Sequence, residues 1–159
     1  MDGRDNIVVK EDGRISGYAA FFDKIDCTRD VLQRGCFDQT LKEWSKKNRR
    51  VPILWQHDVN HPIGYWENFI VRKKGLYATG VLLVEDIPLA HQAKVLVERR
   101  CVMGLSIGFR TRDSRMDDAK DIRYIRDLDL MEISIVTYPA QDAAEIDNRG
   151  GLEWGIRRN

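Results

Sequence analysis

The chain has 159 residues, a length that fits one compact domain and leaves little room for two. No apolar run approaches the roughly 20 residues that cross a bilayer, and the first residues lack the basic and apolar segments of a secretory signal. With 26 basic and 25 acidic residues, the chain has no broad charge that would favour nucleic acid or anionic lipid. We therefore expect a cytoplasmic protein that binds neither nucleic acid nor membranes.

Three cysteines, Cys27, Cys36 and Cys101, show no paired spacing. An odd number without a framework predicts reduced thiols that act as small apolar core residues. The sequence also has no HExxH helix, no glycine-rich phosphate loop and no CxxC pair. No cofactor is expected.

The predicted elements begin with a hairpin, whose strands over residues 7–10 and 15–22 flank a tight turn. A helix is predicted over residues 35–48, where apolar side chains repeat at the spacing of one helical face. A short apolar strand over residues 51–56 follows and ends at His57.

Two further strands, over residues 63–71 and 76–84, predict an antiparallel hairpin. The second helix follows and runs up to Arg100. Its start is predicted from Asp86 as the N-cap and from Pro88 in the first turn.

The last predicted strands lie within residues 104–112 and 121–137. The strongly polar residues 113–120 between them predict an exposed and mobile hairpin tip. Six or seven strands with two helices, without regular alternation, predict a β-rich α+β fold. We expect a bent antiparallel sheet or a β-barrel flanked by helices, whereas a doubly wound parallel sheet is disfavoured.

The end of the chain is polar from Asp142 onward. We therefore expect one domain over residues 1–145 and a loosely attached tail over residues 146–159.

Ser106 lies between two glycines, Gly104 and Gly108, on one face of a predicted strand. Without bulky neighbours on that face, a substrate carbonyl or a second catalytic group could approach the hydroxyl, as nucleophilic attack requires. The alternative is that the glycines only admit a neighbouring backbone. Taken alone the pattern favours that alternative, because short motifs often match by chance.

His57 lies at the junction of an apolar strand and a polar loop, where a base can be held firmly and still reach a substrate. A histidine with a pKa of about 6.5 can accept a proton from serine at neutral pH. His61 is an alternative partner that ranks below His57. His91 falls on the second predicted helix and is predicted to be a surface residue.

Glu132 interrupts the otherwise nearly continuous apolar run over residues 130–136. A carboxylate in such a strand is costly unless it is paired. Facing an imidazole, it would fix the tautomer and stabilise the imidazolium. The alternative is an ion pair with an arginine such as Arg123 or Arg126. Ser134 shares the face of Glu132 and could support it by a hydrogen bond.

A metal site on His57, Asp58 and His61 is the competing chemistry, because imidazole and carboxylate are ligands for zinc and manganese. Their spacing matches no motif with a mechanistic basis. Cys101 is a further option as a nucleophile, although it lies at the end of the second predicted helix with no motif around it.

Several short motifs stand in one order along the chain, at residues 17–22, 35–37, 54–58, 62–64, 75–76, 104–109 and 132–140. Together they resemble the prohead proteases of tailed phages, over the stretch from Ile15 to Ala144. Motifs in a joint order are far more specific than any one of them. The resemblance implies a serine protease whose fold is similar to that of the herpesvirus assemblins.

The resemblance also implies roles for three residues. The family's histidine falls on His57, its serine on Ser106 and its acidic partner on Glu132. Herpesvirus assemblins place a second histidine in the third role, so a carboxylate there departs from that relative. An oxyanion hole is required, but the sequence does not identify it.

Members of this family cleave the scaffolding segment of the major capsid protein, and often themselves, inside the immature shell. The resemblance therefore implies a maturation endopeptidase in the bacterial host cytoplasm, inside the immature capsid. Its partners would be the major capsid protein and its scaffolding segment, with self-association as a further option. The rival hypothesis is an inactive capsid-assembly or scaffolding module that kept the fold.

Overall fold

The computed structural model describes residues 7–102 and 104–141, which form eight strands and two helices. In chain order these are β1 (Val8–Val9), β2 (Arg14–Phe21), β3 (Asp30–Leu32), α1 (Asp38–Lys46), β4 (Pro52–Trp55), β5 (Asp58–Val71), β6 (Gly75–Leu82), α2 (Pro88–Glu98), β7 (Gly104–Asp117) and β8 (Ile122–Val136). None of the helices in these ranges is long and apolar enough to span a membrane. The predicted tail over residues 146–159 lies outside the described residues.

All strands belong to one sheet, in the order β1, β2, β6, β5, β4, β8, β3, with β7 paired to β8. Within the described ranges the sheet is therefore open, and the alternative of a closed barrel is not realised. The prediction of a β-rich fold with two helices is confirmed, but the strand number is eight instead of six or seven. The added strand is β3, whose three residues are too few to show an alternating pattern.

The sheet is mixed, so the expectation of a purely antiparallel sheet is wrong. One edge of β8 pairs with β7, and its other edge pairs in parallel with β3 and with β4. Parallel pairs need long crossover connections, and no local sequence pattern reveals which distant strand becomes the neighbour. Strand β8 is thus the central support of this part of the sheet.

Two predicted loops turn out to be strand. Strand β5 begins at Asp58, so the polar residues after His57 already pair with β4. Strand β7 runs to Asp117, well into the predicted hairpin tip. Residues 59–62 of β5 and most of residues 110–117 of β7 are exposed. These parts of the strands therefore carry polar residues and resemble loops in sequence.

The helices match the prediction with shorter bounds and one different start. Ile87 precedes α2 as its N-cap without a side-chain hydrogen bond, so Asp86 is not the N-cap. Pro88 occupies the first turn as expected, because its missing N–H would lack an intrahelical partner there.

The core consists of apolar side chains from both helices and the sheet. Its largest fully buried members include Phe37, Ile53, Trp66, Leu76, Leu130 and Ile133. Of the three cysteines, Cys36 is buried and Cys27 and Cys101 are exposed, so the prediction of core cysteines holds for Cys36 alone. Burial raises the pKa of the Cys36 thiol to about 12.

Helix α1 packs on β8 at a β-bulge. The pairing with β7 passes from Leu130 directly to Glu132, so Met131 is an extra residue in β8. The backbone N–H of Leu130 donates to Thr40 Oγ1 at 3.0 Å, and its carbonyl accepts from Trp44 Nε1 at 2.8 Å. Side chains of α1 thus satisfy backbone groups beside the bulge, immediately before Glu132.

An ion pair between a buried aspartate and a half-exposed arginine joins the short strand β3 to β8. Asp30 is 4% exposed and lies in register with Arg123. Its carboxylate accepts from Arg123 Nε at 2.7 Å and from Nη2 at 2.6 Å. This two-pronged contact fixes the orientation of a strand that has few ladder hydrogen bonds of its own.

We predict that Arg123→Ala lowers the free energy of unfolding by about 1–3 kcal/mol, because it removes two charged hydrogen bonds from the buried carboxylate of Asp30. Arg126→Ala is the control on the same strand: its pair with Asp113 is half exposed, and its loss should cost under about 1 kcal/mol. Urea denaturation monitored by circular dichroism measures both. Equal losses would contradict the special role of the buried Asp30 carboxylate.

Candidate active site

The carboxylate of Glu132 contacts the imidazole of His57, at 2.6 Å between Oε1 and Nδ1. The Glu132 side chain is 10% exposed and the His57 side chain is 43% exposed. The acid is therefore held inside the sheet, whereas the imidazole reaches the surface.

The alternative of an arginine partner for Glu132 does not hold among the described residues. Arg123 pairs with Asp30, and Arg126 pairs with Asp113.

Ser134 completes a ring of three hydrogen bonds with His57 and Glu132. The backbone N–H of His57 donates to Ser134 Oγ at 3.1 Å, and Ser134 Oγ–H donates to Glu132 Oε2 at 2.6 Å. An ionised carboxylate only accepts, so the short contact to Oε1 requires the imidazole proton on Nδ1. This tautomer leaves the Nε2 lone pair as the base, and Nε2 has no hydrogen bond to other described residues.

The contact with Glu132 raises the pKa of His57 above its ordinary value of 6.5, while partial burial opposes the rise. Because the folded-state pKa is the higher one, the stability that this pair contributes is complete below about pH 6.5. It is lost as the pH rises through the folded-state pKa. The neutral imidazole that a general base requires accumulates over that same rise.

Ser106 on β7 lies directly opposite Ser134 on β8. Opposed side chains of an antiparallel pair have Cβ atoms about 4.5–5.5 Å apart, so Ser106 lies beside the hydrogen-bonded ring and on its face. Ser106 is 6% exposed, and its hydroxyl makes no hydrogen bond within the described part of the chain. The structure thus joins His57 to Glu132 directly and places Ser106 next to them without a bond to the imidazole.

The face around Ser106 is occupied by side chains, so it is not an open patch, although one of those side chains is the proposed catalytic acid Glu132. A Cβ atom at Gly108 would overlap the carboxylate of Glu132, and one at Gly104 would overlap the ring of Pro139. The alternative explanation of the glycines, that they admit a neighbour, is closer to the structure, although the neighbours are side chains. Gly108 makes the room that Glu132 needs to reach His57.

His57 lies in a strained two-residue turn between β4 and β5. Trp55 pairs with Asp58 across the turn, and the two central residues have positive φ angles, 53° at Gln56 and 61° at His57. Such turns favour Asn-Gly, because a non-glycine residue in this region costs roughly 1–2 kcal/mol. The sequence carries no signal for this turn.

The other candidate groups lie apart from this ring. His61 Nδ1 contacts Asp58 Oδ2 at 2.7 Å instead of Glu132. His91 is exposed on α2, as predicted, and Cys101 is exposed beyond that helix. Across residues 7–102 and 104–141, no group of three or more His, Cys, Asp or Glu side chains is arranged to hold a metal ion.

A carboxylate, an imidazole with a free Nε2 and a neighbouring serine are the components of a serine hydrolase site. Residues 4–153 match the family described as Caudovirus prohead serine protease, and the chain belongs to this family. The resemblance found in the sequence motifs is thereby confirmed.

Two relatives are prohead proteases. The protein of Enterobacteria phage HK97 is 29% identical over 136 residues, which cover 84% of this chain and 59% of the relative. That of Escherichia phage T5 is 29% identical over 147 residues, covering 89% of this chain and 68% of the relative. The chain thus spans less than two thirds of the HK97 protein.

The fold is similar to that of the capsid assembly protease of bacteriophage T4. The TM-score is 0.59 at 11% sequence identity, over 79% of this chain and 82% of the other. At this identity the likeness establishes a shared fold.

We predict that Glu132→Gln brings the pKa of His57 down to about 6.5 or below, because the desolvation penalty remains when the carboxylate is removed. An NMR titration of the imidazole in the folded protein measures the change. Ser106→Ala is the control: it leaves the contact with Glu132 intact, so the pKa should stay raised. An unchanged pKa in Glu132→Gln would show that the carboxylate does not set it.

We also predict that Gly108→Ala lowers the His57 pKa and the stability, since the added methyl group displaces the Glu132 carboxylate. The free energy of unfolding should fall by about 1–3 kcal/mol. In a Glu132→Ala background, Gly108→Ala should change the free energy of unfolding little, because the nearest atoms that the methyl group would meet are gone. A double-mutant cycle by urea denaturation tests this, and additive effects would contradict it.

Proposed function

We propose that this chain is a phage prohead protease, a serine endopeptidase that acts in capsid assembly, with Ser106 as nucleophile, His57 as general base and Glu132 as the acid that orients His57. The observation that carries the proposal is the 2.6 Å contact between His57 Nδ1 and Glu132 Oε1, which leaves Nε2 as the basic nitrogen of the site. Membership of the prohead protease family supports the choice of reaction.

The reaction is acyl transfer to water. His57 Nε2 takes the proton of Ser106 as the serine oxygen attacks a peptide carbonyl carbon, and the carboxylate of Glu132 stabilises the imidazolium that results. The imidazolium then gives its proton to the departing amine nitrogen. Water, deprotonated by His57, hydrolyses the acyl-enzyme and returns the serine hydroxyl. The hydrogen bond from Ser106 to Nε2 forms when substrate closes the site, as is common for catalytic contacts that are loose in a free enzyme.

The proposed substrate is the scaffolding segment of the major capsid protein, with the protease itself as a second substrate. The proposed place of action is the immature capsid in the host cytoplasm. The names of the HK97 and T5 relatives support an action on proheads. Three further expectations also stay predictions. They are a similarity to the herpesvirus assemblins, self-association, and a domain that ends at residue 145 and is followed by a tail over residues 146–159.

Co-expression with the capsid protein of the same phage tests the proposal. We expect Ser106→Ala and His57→Ala each to reduce scaffold removal by about 10³-fold or more, since either change removes a group that acts in the chemical step. His61→Ala is the matched control and should process the capsid protein at close to the original rate, because His61 contacts Asp58 and not Glu132. Continued processing by both Ser106→Ala and His57→Ala would refute the mechanism.

An inactive assembly module is the second candidate, and one observation favours it: Ser106 is 6% exposed and has no hydrogen bond to other described residues. A fluorophosphonate probe separates the two candidates. Labelling of Ser106 in assembled shells supports the protease, whereas absence of labelling there supports the inactive module.

A further inference from the structure

The side chain of Gln56 fastens the turn that carries His57 to the end of β8. Gln56 Nε2 donates to Thr137 Oγ1 at 2.8 Å, and Gln56 Oε1 accepts from the backbone N–H of Thr137 at 3.2 Å. The backbone N–H of Gln56 also donates to the carbonyl of Ile135 at 3.0 Å. These three hydrogen bonds extend the contact between β4 and β8 beyond the last ladder pair, Trp55 with Ile135.

The turn needs such a fastening because its backbone conformation is unfavourable. Gln56 and His57 both have positive φ, and neither is a glycine. The backbone of His57 has one described hydrogen bond to β8, from its N–H to Ser134 Oγ. Without the side-chain amide of Gln56, the turn could relax toward more populated backbone angles and carry the imidazole away from Glu132.

We propose that Gln56 is a positioning residue: through Thr137 its amide holds the imidazole of His57 against Glu132 and beside Ser106. This inference rests on the proposed function and adds to it a residue that touches neither substrate nor reacting atoms. Both Gln56 and Thr137 are exposed, so their contact contributes little to the stability of the whole fold. Its effect is expected on the geometry of the site, where a displacement of about 1 Å can reduce the rate by about 100-fold.

The test uses the full chain and a peptide that spans the junction cleaved in the capsid protein, identified by mass spectrometry of the processed shells. We expect Gln56→Ala to lower kcat by about 10- to 100-fold, with KM changed by less than about twofold. The pKa of His57, followed by NMR, should fall toward 6.5 as the contact with Glu132 loosens. The midpoint temperature of thermal unfolding should change little.

Matched variants separate the effect of losing the Gln56 amide from the other effects of Gln56→Ala. Gln56→Gly suits the positive φ and removes the amide, so it should lower kcat even though it relieves backbone strain. Thr137→Val keeps the shape of the side chain and removes the hydroxyl, and it should lower kcat less than Gln56→Ala does. Thr137→Ser keeps the hydroxyl and should retain the original rate.

Two outcomes would overturn the proposal. The first is an unchanged kcat and an unchanged His57 pKa in both Gln56→Ala and Gln56→Gly. The second is a lower kcat that is matched by a lower thermal midpoint while the His57 pKa stays raised, which would make Gln56 a merely structural residue. The NMR titration needs no catalysis, so it still tests the placement of His57 if Ser106→Ala proves fully active and the proposed function fails.

Discussion

The Glu132 side chain is 10% exposed, and each of its carboxylate oxygens takes part in one hydrogen bond of 2.6 Å. A charge in a buried strand is costly unless it is paired, so the neighbouring elements must supply partners and room. His57 and Ser134 are the partners, and Gly108 leaves the room. The bulge at Met131, just before Glu132, is stabilised by side chains of α1. The geometry of the site thus follows from the requirement to accommodate one acid.

The residues of the proposed site lie on or next to three neighbouring strands. Strand β8 carries the acid, β7 carries Ser106, and the turn after β4 carries His57. Because side chains alternate across a strand, a register shift of one residue in β7 would move Ser106 to the other face of the sheet. The strain of the turn at Gln56 and His57 is tolerated because hydrogen bonds to Ser134 in β8 and to Thr137 just after it oppose its relaxation.

The shared fold with the T4 protease at 11% identity illustrates how loosely a fold constrains sequence. What this chain can do has to be argued from the side chains that the fold brings together. The family model describes a serine protease, and the proposed site contains the components of that chemistry. The match comes from motifs spread along the chain, whereas the site comes from contacts among a few residues of three strands.

The sequence by itself determined most strands, both helices and the family, because periodicity, turn residues and ordered motifs are local signals. The resemblance to that family supplied the three residues of the proposed mechanism, which stay a prediction. The sequence could not determine the parallel pairing of β8, the positive φ angles at Gln56 and His57, or the filled face around Ser106. Those features depend on contacts such as that of His57 with Glu132, which are 75 residues apart in the chain. Only the tertiary structure decides which distant strands pair and which side chain the Glu132 carboxylate contacts, because pairing and burial are properties of the whole sheet.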